Sequence, residues 1–213
     1  MADLLESIRQ SIREFPILYM VVLAVLILCV FLWVIAMRAS RRRRAEKEAL
    51  IAVLEHEKAL RAEFRTITQQ QLIDTAPERL VEGVCCNIQL ALEAQPDMQA
   101  AYDALPQPRL LIYALGYVVQ DSREALSEFF RKNGQPLTGA ALEAAWRLVD
   151  GEYAALFQQE YEAFDEENEA VSLVREDVAA ADARFAALVR EQGESLYAQA
   201  KEYILANSAT FTS

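Results

Sequence analysis

The sequence predicts an all-α protein: an N-terminal single transmembrane helix, a helical stalk and a C-terminal helical bundle. Three observations carry this. Residues 17–37 form one uninterrupted apolar run. Alternating apolar and polar runs, the mark of half-buried strands, are missing. The six prolines of the 213-residue chain fall at the edges of segments with helical period. The chain divides into an amphipathic tail (1–16), the span (17–37), a basic collar with the stalk (38–72) and an acidic all-α domain (73–213).

The span comes first because its composition is the least ambiguous. Its 21 residues include no charged residue, Gly, Pro, Asn or Gln, and 14 of them are Leu, Ile, Val or Phe. As a helix the run covers roughly 32 Å, against about 30 Å of bilayer hydrocarbon. It is too long for the apolar region of a cleaved signal peptide, and the arginines after it are a stop-transfer pattern. Arg9 and Arg13 precede it; Arg38, Arg41, Arg42, Arg43, Arg44 and Lys47 follow. This asymmetry directs the N-terminus outside and the C-terminal domain into the cytoplasm, anchored in the plasma (inner) membrane. In the tail, Leu4, Leu5, Ile8, Ile12 and Phe15 share a helical face suited to the membrane surface.

Beyond the collar no Gly or Pro interrupts the chain up to Leu72, so the helix is expected to continue to about there. Leu50, Leu54, Leu60, Phe64 and Ile67 partly follow a coiled-coil seam, with Glu57 where an apolar residue belongs, which suits a stalk pairing with a second copy as a homodimer. A helix capped by Thr75, with Pro77 in its first turn, ends at Pro96. The run 109–120 reads as the central buried helix. Asp121 and Glu124 stand at capping-box spacing before a helix with Ala125, Phe129 and Phe130 on its apolar face, which stops at Asn133 and Gly134. Helices are expected over 138–149, 152–164, 175–192 and 194–206, the last two separated at Gly193.

Charge is segregated. From Thr66 onward 24 Asp and Glu stand against 10 Lys and Arg, a net −14, while the collar is basic. Such a body is repelled by nucleic acid and anionic head groups, whereas the collar is held at those head groups. Direct nucleic-acid binding is therefore disfavoured. Cys29 lies in the span, and the neighbours Cys85 and Cys86 read as buried small hydrophobes of a reduced protein. His56 is the only histidine. A second histidine, a glycine-rich phosphate loop and a GxSxG motif are absent, so no catalytic residue, cofactor site or metal site is expected and the chain reads as a non-enzyme.

The order of segments "LPQPRLLIYALGYVVQDSREALSEFFRKNG", an alanine-rich helix pair, "FDEENEAVSL" and "DARFAALVREQGESLYAQAKEYILAN" resembles a small acidic all-α bacterial family whose best-known member is a DNA-mimic protein. The resemblance covers residues 77–207. That family's central motif runs approximately Glu-Val-Asn-Gly-Gly-Phe-x-Gln-Phe-Phe-x-Asn. Asp121 stands at its Glu, Leu126 at its Phe, Glu128 at its Gln, and Phe129 and Phe130 at its aromatic pair. Asn133 falls one place past its Asn, and Arg123, Glu124 and Ala125 replace the Asn-Gly-Gly triplet. The resemblance implies a dimeric, non-catalytic protein whose surface carboxylates stand in for DNA phosphates and occupy a basic DNA-binding protein. Glu160, Glu162, Asp165, Glu166, Glu167 and Glu169, interleaved by Tyr161 and Phe164, are the expected acidic partner surface. The functional expectation is a membrane-anchored module offering this surface to a cytoplasmic protein. The alternative is an assembly scaffold of a membrane complex whose acidity serves solubility alone.

Overall fold

The structure, a computed structural model, describes residues 16–122, 125–149, 151–165 and 175–212; between 16 and 46 it describes side chains only at 17, 20, 21, 25, 28, 30–33, 35, 37, 38, 43 and 44. Every regular element among the described residues is an α-helix. In chain order these are α1 Pro16–Glu63, α2 Gln69–Asp74, α3 Pro77–Glu93, α4 Met98–Asp103, α5 Gln107–Asp121, α6 Leu126–Lys132, α7 Leu137–Leu148, α8 Gly151–Ala163, α9 Glu176–Ala206 and α10 Ser208–Phe211. The chain forms two compact units, Met1–His56 and Glu57–Ser213.

In the first unit α1 is one unbroken helix. Among the described residues no helix is long and apolar enough to cross a membrane, and the expected span at 17–37 lies partly outside them. The expected amphipathic tail, 1–16, lies outside them but for Pro16. The eleven residues of the span whose side chains are described are all large, apolar and exposed, from Met37 at 37% to Ile17 at 78%. At 100° per residue they point to every side of the helix.

The second unit is a helical bundle built around α5. Its apolar residues recur at helical spacing, and Leu111, Ile112, Ala114, Leu115 and Val118 are buried, as expected of the central helix. α3 and α7 pack on α5, and α9 lies along α3 and α8. Small residues permit these approaches: Ala140, Ala141, Ala144 and Ala145 form the buried face of α7. A Cβ at Gly116 of α5 would run into the Cys85 side chain of α3. Cys85 donates its thiol to the Ile112 carbonyl at 3.3 Å, and burial pushes its pKa up to about 12. It is a protonated packing residue at neutral pH.

Three expectations are corrected. The stalk helix does not reach Leu72 but ends at Glu63. The β-branched run Thr66, Ile67, Thr68 breaks it, and Thr68 Oγ1 caps the next helix by accepting from Gln71 N at 3.2 Å. The proposed seam divides accordingly. Leu60, Phe64 and Ile67 are in the core of the body at 6%, 0% and 1% exposure, whereas Leu50 and Leu54 are exposed. Gly193 does not separate two helices, because α9 runs through it; the residue has ordinary helical φ, and the loss of about 1 kcal/mol of propensity is small against the apolar face that α9 buries on both sides of it. At α3 the cap is Ala76 and not Thr75, and Pro77 opens the helix. Thr75 instead ends α2, where Lys201 of α9 donates to the carbonyls of Ile73 at 2.7 Å and Thr75 at 2.6 Å, satisfying a helix end with a cation.

The last turn of α1, residues 60–63, and Phe64 belong to the body. The Phe64 ring lies on bare backbone at Gly83 of α3, where any Cβ would collide with it. Around it the polar groups close the joint. Arg61 pairs with Glu57 at 2.8 Å and Glu93 at 2.9 Å, and Arg79 pairs with Glu63. Asn87 donates to the carbonyls of Phe64 at 2.8 Å and Arg65 at 3.3 Å, and half-buried Arg109 orients it by donating to its Oδ1 at 2.9 Å. Phe64→Ala should therefore destabilise the body by about 3–5 kcal/mol in denaturant unfolding followed by circular dichroism, whereas Glu93→Ala, which opens an exposed pair, should cost about 1 kcal/mol or less.

Candidate functional site

The sequence marks three groups of residues, and the structure treats each differently. In the basic collar Arg38, Arg43 and Arg44 are exposed on α1, while the side chains of Arg41 and Arg42 lie outside the described residues. A helical run of cations open to solvent can engage anionic head groups without rearrangement.

Of the expected acidic surface, three residues lie among those described: Glu160, Glu162 and Asp165. Glu162 and Asp165 are exposed, and Glu162 accepts from Gln158 at 2.7 Å. Glu166, Glu167 and Glu169 lie outside the described residues. Glu160 is a correction: it is 1% exposed and belongs to the core. It stands seven residues after Tyr153 and three after Phe157, both buried, and so shares the inward stripe of α8. Tyr161 and Phe164 pack near Phe130, with ring centroids at 6.4 Å and 5.6 Å, at the end of α8.

The positions carrying the family resemblance form a structural joint. Asp121 ends α5 and accepts from Asn133 Nδ2 at 2.8 Å, with Lys132 Nζ at 3.4 Å. This replaces the expected capping box: Asp121 reaches past the start of α6 to its far end, and Glu124 lies outside the described residues. Leu126, Phe129 and Phe130 are buried, Phe129 and Phe130 meeting edge to face at 5.3 Å and both contacting Phe157 of α8. Glu128 pairs with Arg131 at 2.6 Å. Leu126, Phe129 and Phe130 are thus closed to a partner, whereas the Glu128 side chain is about a third exposed.

The start of α6 has no side-chain cap of its own, because its N-cap is Ala125. Asp182 of α9 supplies one from across the bundle. Its Oδ1 accepts from Ser127 N at 2.9 Å and its Oδ2 from Ser127 Oγ at 2.7 Å. The Glu160 carboxyl lies beside Asp182, and neither of its oxygens accepts from any N–H or O–H donor among the described residues. Burial, with Asp182 adding to it, pushes the Glu160 pKa up to about 9. Ser127 and Asp182 escaped the sequence reading, although Asp182 interrupts the apolar spacing Val178, Ala181, Phe185, Leu188. A charge set into that stripe was the available signal.

Among the described residues no three His, Cys, Asp or Glu side chains are placed to hold a metal ion. Glu160→Lys should destabilise the body by about 3 kcal/mol or more, since it buries an unpaired cation, while Glu162→Lys should stay within about 0.5 kcal/mol; parallel thermal unfolding separates the two. No protein-family model, curated protein or solved structure matches the chain.

Proposed function

We propose that the chain is a non-enzymatic, membrane-anchored interaction protein: residues 17–37 hold it in the plasma membrane with the N-terminus outside, and the acidic helical body meets a cytoplasmic protein partner. The observation that carries the anchor is the ring of eleven exposed apolar side chains on α1, which requires an apolar cover on every side. Exposed Arg38, Arg43 and Arg44 follow directly and fit the head-group layer. For the body, the net −14 from Thr66 onward supports attraction to a basic partner at low ionic strength.

DNA mimicry is the sharper form of this reading, and the scaffold with solubilising acidity is its rival. Mimicry requires carboxylates at phosphate-like intervals on one rigid face. The inward position of Glu160 removes one of six expected members, and elsewhere on the body the Glu128–Arg131, Glu143–Arg147 and Glu152–Arg184 pairs neutralise carboxylates locally. These observations weigh against mimicry as the form that the interaction takes.

Two measurements decide it. The full chain should stay with the membrane pellet through an alkaline carbonate wash, and deletion of residues 17–37 should release it; extraction of the intact chain by the wash would overturn the anchor. Affinity capture on the body should then be repeated at about 0.5 M salt, where exposed charge pairs are screened. Salt-sensitive recovery of one DNA-binding protein, displaced by duplex DNA, supports mimicry. Salt-insensitive recovery of a membrane component supports the scaffold.

A further inference from the structure

We propose that Glu160 and Asp182 form a proton-operated latch: one proton shared by the two carboxyls ties α8 to α9 and, through Ser127, fastens the start of α6, and its loss loosens that junction.

The geometry assigns the proton. Both oxygens of Asp182 already accept from Ser127, so Asp182 is the acceptor of the pair. Glu160, 1% exposed and set against it, has no N–H or O–H donor on either oxygen among the described residues. Two facing carboxylates without a donor between them repel in a medium of low dielectric. The contact is favourable only when Glu160 carries a proton and donates it to Asp182.

Among the described residues the neighbouring elements offer no compensating cation. From α9 the group facing Glu160 is Asp182, and α9's Arg184 turns to the surface to meet Glu152 at 2.6 Å. From α6 the contribution is the Ser127 amide and hydroxyl, while Glu128 and Arg131 pair with each other outside. From α7, Glu143 and Arg147 do the same at 2.9 Å. On α8 itself Glu162 is exposed, the Tyr161 hydroxyl accepts from Gln135 at 2.8 Å, and the Tyr153 ring packs on Phe185. A proton is the species that balances the pair.

The direction of the pH dependence follows. In the unfolded chain Glu160 ionises near its ordinary value of 4.5, and in the closed junction only near 9. Between these values closing takes up one proton, so the closed state is fully favoured below about 4.5 and loses about tenfold per pH unit as pH rises towards 9. Neutral pH lies on that slope. A shift of one unit in the surrounding solution therefore changes the open population of the α6–α8–α9 junction about tenfold, without a ligand.

The test uses the full chain in detergent micelles. Amide exchange at Ser127, corrected for the intrinsic pH dependence of exchange, should show protection falling about tenfold per unit from pH 6 to 8. Glu160→Gln retains a donor to Asp182 but cannot ionise, and its protection should be flat over the same range. Equal slopes in the two proteins, or no slope in the wild type, would overturn the latch. A second readout needs no variant: the carboxyl 13C resonance of Glu160 should report the protonated form at pH 7, and an ionised signal there sinks the proposal equally.

Discussion

The seat of Phe64 on the bare backbone of Gly83 is the constraint on which the body depends. It converts the end of a long, otherwise exposed helix into part of a core, because Leu60 and Phe64 of one strip and Leu80, Val84 and Ile88 of α3 become one apolar layer. Phe64 contributes a fully buried ring, and Gly83 contributes only the absence of a side chain. The polar groups around it act as closure: the helix stops at Glu63, and Asn87 donates to the carbonyls of the next two residues, Phe64 and Arg65. Arg109 holds Asn87 in place from the first turn of α5, so three helices meet at one small polar node. Burial lowers the pKa of the Arg109 guanidinium, whose Nη2 donates to Asn87 Oδ1.

Most of the body's acidity is peripheral to this architecture. Exposed ion pairs at helical spacing, such as Glu143 with Arg147, contribute little to stability and much to hydration. Glu160 and Asp182 are different in kind. They occupy the apolar stripes of α8 and α9 and connect three helices, so that hydrogen bonding rather than packing fixes how α6 begins. A buried polar group of this sort sacrifices stability against an apolar replacement, and in return only one register of the helices satisfies it.

The all-α class, the central position of α5 and the place of Pro77 in the first turn of α3 were legible in the sequence because periodicity and proline placement act locally, although the cap of α3 was set one residue early. The end of α1 was not. Leu60, Phe64 and Ile67 have the spacing of a coiled-coil seam and of a core-facing stripe alike, and only the presence of α3 beside them decides between the two. Gly193 misled for the opposite reason: a local preference against helix was overruled by apolar residues on either side, from Phe185 and Leu188 to Leu196 and Ala200, that bury together only if the helix continues. In the candidate site, Phe129 and Phe130 were recognisable as an aromatic pair, but their role as a joint to Phe157 was a tertiary fact. Glu160 was misread as surface because a dense acidic run drew attention to charge, while its spacing from Tyr153 and Phe157 placed it inside.

The length and position of α9 bear on the order in which the protein is made. Phe185, Leu188, Leu196, Ala200 and Ile204 supply the wall against α3 and α8, Lys201 closes the end of α2, and Phe211 of α10 completes the layer. All of them follow the helices they cover in the sequence, and the apolar segment at 17–37 precedes the whole bundle. The bundle thus closes only once α9 has been made, and under the anchored reading the apolar segment meets the lipid before the core is finished; the acidity of the body then keeps the waiting helices soluble and away from head groups of like charge.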